Sequence, residues 1–136
     1  MVVRTTNIKS SKVVSDEGMN EIFARIFSRH IKELGRPEAM VSEFAIFWCI
    51  AWREGNNQAS ISKLAGVSQK TVSRVISNLG GIEGGLGWVE QRVHSKDRRV
   101  RLLYLTKKGQ KIRLGMVHAL AKLRDQIIAK EGGVID

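Results

Sequence analysis

One stretch limits what this chain can become. Ser60–Asn78 (SISKLAGVSQKTVSRVISN) reads as two short helices joined by a tight turn. Ser60 caps the first helix in this reading, and Ile61, Leu64 and Ala65 form its inward face. Gly66 stands where the chain must turn, because glycine adopts positive φ at little cost. Val67 plugs the corner, and Ser68 caps the second helix by accepting from its free N–H groups. Val72, Val75, Ile76 and Leu79 recur at helical spacing as one buried stripe. The opposite face carries Gln69, Lys70, Ser73, Arg74 and Ser77, and no acid occurs between Glu54 and Glu83. A short helix that is apolar inside and polar or basic outside suits a DNA major groove. Arg and Lys pair with guanine edges, Gln with adenine, and Ser with phosphates or either base. The plain alternative is a pair of ordinary surface helices.

The charge balance bears on that choice. The chain has 136 residues, a formal charge of +10 and a pI near 10.3. That length suits one domain with a real core. The excess charge points to a polyanion partner, with nucleic acid first, against a basic surface kept for solubility. A single cysteine excludes an intramolecular disulfide and fits a reducing cytoplasm. The first fifteen residues lack the apolar centre of a signal peptide. The longest apolar run, Phe44–Trp52, falls short of the ~18–20 residues of a membrane span. The expectation is a soluble, cytoplasmic protein with no membrane contact.

In chain order, residues 1–14 are a flexible arm carrying Arg4, Lys9 and Lys12, and 15–136 form a single domain. Ser15 caps a helix over 15–35 whose first turn holds Asp16 and Glu17. Its stripe of Met19, Ile22, Phe23, Ile26, Phe27, Ile31 and Leu34 needs a partner, and Gly35 and Pro37 end it. A second helix runs from Glu38 or Ser42 to Arg53, apolar all round, with Trp48 and Trp52 in the core. Gly55-Asn56-Asn57 is a turn, and Gln58-Ala59 adds a short strand. After Leu79 the run GGIEGGLG reads as a flexible loop or unusual turn. Trp88–Val93 and Arg98–Leu105 read as strands of a β-hairpin tipped by His94-Ser95-Lys96-Asp97. Thr106 caps a last helix over 107–131, with Ile112, Met116, Val117, Leu120, Leu123, Ile127 and Ile128 as its stripe, and Gly132-Gly133 ends it. The fold class is mainly α with a small β-hairpin (α+β).

Arg92, Lys96, Arg98, Arg99, Arg101, Lys107, Lys108, Lys111 and Arg113 crowd the hairpin and the next helix start, opposed only by Asp97. With Lys63, Lys70 and Arg74, the positive charge gathers on the elements that would meet a duplex. Scattered solubility charge does not segregate in this way.

A helix-turn-helix followed by a basic hairpin is a winged helix. The run LAGVSQKTVSRVISNL, then LGWVEQRV, then D-x-R at Asp97–Arg99, then LYLTKKG at Leu103–Gly109, resembles the MarR family of bacterial transcriptional regulators over residues 38–115. The resemblance implies that 68–79 reads the major groove and that the wing, 92–101, reads the minor groove through Arg99. It implies that Asp97 holds a neighbouring arginine. A narrow minor groove attracts an inserted guanidinium, and a carboxylate can fix an arginine by a bidentate pair. The resemblance further implies a homodimer joined through helices 15–35 and 107–131, with 38–106 as the DNA-binding core. The glycine-rich stretch and the single helix after the wing depart from the family pattern. A small-molecule effector is a partner the family allows.

The candidate DNA-binding residues are Ser68, Gln69, Lys70, Thr71, Ser73, Arg74, Ser77, Lys96, Asp97, Arg98, Arg99 and Arg101. Cys49 sits inside the apolar helix, where burial blunts a thiol, so it reads as core rather than redox sensor. His30, His94 and His118 lack metal-ligand spacing; His30 and His118 fall on the two dimer helices, and His94 reads as a phosphate or solvent contact. No nucleophile motif, nucleotide loop or acid–base pair appears, so no enzyme activity and no cofactor is expected. The leading function is a transcriptional regulator, a repressor, that binds double-stranded DNA by sequence. The alternatives are a winged-helix adaptor for a protein partner such as polymerase, and a non-specific DNA-coating protein.

Overall fold

The computed structural model describes residues 14–35, 40–81 and 84–131. Residues 1–13 of the basic arm, Pro37, Ile82-Glu83 and Gly132-Gly133 lie outside those residues. The elements are α1 (Asp16–Leu34), α2 (Val41–Trp52), α3 (Gln58–Ala65), α4 (Gln69–Leu79), β1 (Val89–Val93), β2 (Arg101–Leu105) and α5 (Lys107–Lys130). They fall into two compact units, one over 31–114 and the other pairing the chain up to residue 30 with the chain from 115 onward.

The 31–114 unit holds the helix-turn-helix and the hairpin. Its core is the inward face of each element: Ile46, Phe47 and Ile50 of α2, Ile61 of α3, Val72, Val75, Ile76 and Leu79 of α4, then Trp88, Val89, Leu103 and Leu105. Phe47 meets Trp88 edge-on with ring centroids 5.4 Å apart. The period-3.6 stripe of α4 and the period-2 face of the hairpin both close on α2, which explains why α2 is apolar on nearly every side.

β1 and β2 pair antiparallel, with Val89 opposite Leu105, Gln91 opposite Leu103 and Val93 opposite Arg101. A third segment joins them. Asn56 bridges Leu103: the Leu103 N–H donates to the Asn56 carbonyl at 2.9 Å, and the Gly55 N–H donates to the Leu103 carbonyl at 2.8 Å. The short extended piece therefore lies at Asn56, and Gln58-Ala59, read above as a strand, open α3 instead.

That shift moves the cap. The Asn57 side chain accepts from the Ser60 N–H at 2.9 Å, so Asn57 rather than Ser60 caps α3. The helix starts earlier than its apolar pattern does because Asn56 is pinned to Leu103 immediately before it. Leu64, expected inward, is 39% exposed. Trp52, expected in the core, is 66% exposed at the last turn of α2, with the Arg53 guanidinium 4.5 Å from its ring centre. Trp48 is half-buried against the core.

The glycine-rich stretch has a defined path where it is described. The Leu86 N–H donates to the Asn78 carbonyl, the Gly87 N–H to Gly80, and the Trp88 N–H to Leu79. A Cβ on Gly85 would stand 2.0 Å from the Gly80 carbonyl oxygen, so the loop folds back on the end of α4 through a position only glycine fits.

In the other unit, Ser15 caps α1 as its sequence suggested: the Gly18 N–H donates to Ser15 Oγ at 3.0 Å. Ser15 Oγ in turn donates to Glu131 Oε2 at 2.6 Å, and Lys130 pairs with Glu21 at 3.0 Å. Ile22, Met116 and Ile127 are buried, and His30 with them. Met19, Phe23 and Phe27 of α1 remain exposed, as do Val117 and Leu120 of α5. No helix among the described residues is long and apolar enough to cross a membrane.

Candidate nucleic-acid interface

The recognition candidate is α4, and its start is fixed by local chemistry. Gly66 takes φ 74°, the left-handed conformation that ends α3, and Ser68 is extended with its Oγ accepting the Thr71 N–H at 3.1 Å. The four apolar residues of α4 are buried, which turns Gln69, Lys70, Ser73, Arg74 and Ser77 outward, all exposed. Two members of the candidate set are partly spent within the helix. Thr71 is half-buried, with Oγ1 3.0 Å from Ser68 Oγ, and Ser77 Oγ donates to the Ser73 carbonyl at 3.3 Å. Gln69, Lys70, Ser73 and Arg74 form the open part of the face.

The far end of α4 is tied to α2. Glu43 is buried, its Oε2 accepts from Asn78 Nδ2 at 3.1 Å, and its Oε1 accepts from the Met40 N–H at 3.3 Å. Neither Glu43 nor Asn78 stood out in the sequence. A buried acid on an apolar helix was the one available signal.

The wing departs from the sequence reading first in its strand boundary. Residues 98–100, read as strand, belong to the tip, and β2 begins at Arg101. The cause is a turn: the Val100 N–H donates to the Asp97 carbonyl at 3.0 Å, and the His94 N–H donates to the Val100 carbonyl at 2.9 Å. Asp97 then holds Arg99 in a fork, Nε to Oδ1 at 3.1 Å and Nη2 to Oδ2 at 3.2 Å, while the Arg99 N–H donates to Oδ1 at 3.1 Å. The arginine that Asp97 steadies is Arg99 itself, and 90% of its side chain still faces solvent. These bonds from Arg99 hold the Asp97 carboxyl below its ordinary range, so the fork is present at neutral pH and is lost only as pH falls through that depressed value. Lys96, Arg98 and Arg101 are exposed.

Two open grooves show which candidates come together. One is lined by Asn57, Gln58 and Ala59 of the α3 start, Gln69 of α4, and Arg99, Val100 and Arg101 of the wing. The second runs past Ser77 and Asn78 of α4 to Glu90, Gln91 and Arg101. Arg101 thus borders α4 on both sides of the wing root, and Gln69 shares a cleft with Arg99. Lys70, Ser73, Arg74, Lys96 and Arg98 line neither groove. Asn57 was missed because it was read as part of a turn, and Gln58 because it was read as strand. Arg92, counted among the free cations of the hairpin, is engaged: it pairs with Glu90 at 2.6 Å and lies 3.9 Å from the Tyr104 ring centre.

His94 also differs from its reading. Its Nδ1 turns back on the tip and accepts from the Lys96 N–H at 2.9 Å and the Asp97 N–H at 3.3 Å. Among the described residues no three His, Cys, Asp or Glu side chains are grouped to hold a metal ion. Cys49 is half-buried, and burial raises its thiol above the ordinary range. Its labelling by a thiol reagent at neutral pH is expected to be about tenfold or more slower in the folded chain than in denaturant, because less thiolate is present and access is restricted. Equal rates would show an open, reactive thiol.

No family model matches the chain, and no curated protein does. Solved structures do. A MarR-family transcriptional regulator from Silicibacter pomeroyi superposes with a TM-score of 0.54 at 20% identity, over 81% of this chain and 71% of that one. Reduced AbfR bound to DNA superposes with a TM-score of 0.56 at 19% identity, over 78% and 69%. BpsR from Bordetella bronchiseptica, whose DNA binding is regulated by 6-hydroxynicotinic acid, superposes with a TM-score of 0.52 at 18% identity, over 80% and 78%. The chain has the winged helix-turn-helix fold of MarR-family transcriptional regulators.

Proposed function

We propose that this chain, built on the MarR-family fold, is a dimeric transcriptional regulator that binds double-stranded DNA by sequence and acts as a repressor. The observation that carries the reading is the cleft shared by Gln69 of α4 and by Arg99 and Arg101 of the wing. It joins a groove-sized polar helix face to a guanidinium steadied by its own carboxylate. In the proposal Gln69, Lys70, Ser73 and Arg74 read base edges, Ser68, Thr71 and Ser77 support them, and Arg99 enters the flanking minor groove. Lys96, Arg98 and Arg101 meet phosphates, and Asp97 orients Arg99. AbfR with bound DNA supports the use of this fold on a duplex, and BpsR supports a small-molecule effector as a second partner. The exposed apolar residues of α1 and α5 support a second copy as the third.

Selection of bound duplexes from a random pool tests the reading. The expected result is an enriched, two-fold-symmetric site, since an isologous dimer presents two equivalent helices. Enrichment of no sequence would leave a non-specific coating role. Arg99→Ala is expected to weaken binding to the selected site by about 1–3 kcal/mol, the usual worth of a groove contact. Unchanged affinity in a gel-shift titration would refute the wing assignment.

A further inference from the structure

The wing tip hangs on one imidazole. Nδ1 of His94 accepts two backbone N–H bonds, from Lys96 and Asp97. The turn so closed is locked by His94 to Val100 and Val100 to Asp97. Asp97, set in place by that turn, receives the backbone and guanidinium of Arg99. Dependence runs from the ring to the turn, from the turn to the carboxylate, and from the carboxylate to the arginine. We infer that His94 is the positioning residue for Arg99 on DNA, and that a proton taken up at its Nδ1 releases the wing tip. The DNA part rests on the proposed function above.

The physics is specific to that nitrogen. A ring nitrogen accepts only through a free lone pair, so the ring must carry its proton on Nε2. Protonation at Nδ1 makes a donor of the acceptor, now facing two N–H groups, and both bonds go together. Imidazoles as a class change charge between about pH 5 and 8. The charged groups along the hairpin are Lys96, Asp97, Arg98 and Arg99 at the tip, Arg92 on β1 and Arg101 on β2. Asp97 is not the switch, since the bonds from Arg99 lower its carboxyl below the ordinary carboxylate range and favour the ionised form.

A bare affinity profile would mix this release with the added attraction of a charged ring for phosphate. The Arg99→Ala penalty removes that ambiguity. It is to be measured by anisotropy on the selected duplex at about pH 7.5 and about pH 5.5, the span over which imidazoles titrate. The backgrounds are wild type, His94→Asn and His94→Ala. In wild type the penalty is expected to fall from roughly tenfold or more to within about twofold at the lower pH. His94→Asn keeps an oxygen acceptor that takes no proton, so its penalty is expected to persist at both pH values. His94→Ala is expected to have lost the penalty at both. A wild-type penalty equal at the two pH values, one that shrinks equally in His94→Asn, or a His94→Ala protein matching wild type at pH 7.5 would each overturn the inference.

A second readout needs no DNA. Amide protection factors of Lys96 and Asp97 in the full chain are expected to fall as the ring protonates, while that of Leu103 holds. Constant protection at Lys96 and Asp97 overturns the release. A chain that selects no duplex would sink the proposed function, and the exchange measurement would still decide whether the ring governs the tip.

Discussion

Phe23→Glu is expected to convert the protein to a monomer and to cost on the order of a hundredfold in affinity for a symmetric site. Phe23 is 56% exposed on α1 and stacks on Phe27 with ring centroids 6.4 Å apart. Met19 and Phe27 continue the stripe at helical spacing, and Val117 and Leu120 are exposed on α5. Large apolar side chains grouped on a surface mark an association site. In an isologous pair the new carboxylate enters twice, once from each copy, and an unpaired charge in an apolar contact is costly. Loss of the partner removes the gain from holding both half-sites at once, which is on the order of 10²–10⁴ in affinity. Sedimentation should show the wild type as a dimer and the variant as a monomer with unchanged helix content, since Phe23 is not in the core of its own unit. A variant that stays dimeric and binds normally would place the association surface elsewhere.

The second large effect concerns two glycines of α5 with opposite expectations. A Cβ on Gly109 would stand 2.0 Å from the Trp88 carbonyl oxygen. That carbonyl is backbone, and it already accepts the Thr106 N–H at 3.0 Å. It has no rotamer by which to escape. Gly109→Ala must therefore part the first turn of α5 from the base of β1, beside the buried Trp88 ring. A loss of about 3 kcal/mol is expected, at the upper end for overpacking. A Cβ on Gly115 meets only Arg29 Nη2, at 3.7 Å. Glycine there costs the helix backbone entropy, so Gly115→Ala is expected to stabilise by about 0.5–1 kcal/mol. Urea unfolding of the two variants checks both signs. Equal, small effects would mean that the close approach at Gly109 is not real.

Gly109 shows what a sequence can and cannot disclose. Its place after Thr106 belongs to the run that resembles the MarR family, but the carbonyl it makes room for lies twenty-one residues earlier in the chain. Where local rules act alone, the sequence reading holds: Gly66 as a left-handed stop, Ser68 as a cap, and the stripe of α4 all stand as read. Where two residues satisfy the same rule, tertiary contacts choose. Asn57 and Ser60 are both good caps, and only the pairing of Asn56 with Leu103 selects Asn57. Trp52 fails for a related reason. An unbroken apolar run has no period with which to mark its exposed end, and the Arg53 guanidinium shields the ring from one side. The outward set on α4 was legible because it is the complement of a buried stripe. The ring nitrogen of His94 was not, because an acceptor role depends on where the next three amides point.

The hairpin is not uniformly held. At its base Leu103 has both its N–H and its carbonyl taken by the segment before α3, and Glu54 Oε1 accepts the Leu105 N–H at 3.0 Å. Beyond Val93 and Arg101 the paired strands end, and the seven residues between them form a tip closed by bonds from His94 to Val100 and from Val100 to Asp97. Such a division lets the outermost loop be rewritten without disturbing the scaffold. On the proposed function, exchanging such a fingertip would change what the wing meets on a duplex while the knuckle keeps its setting.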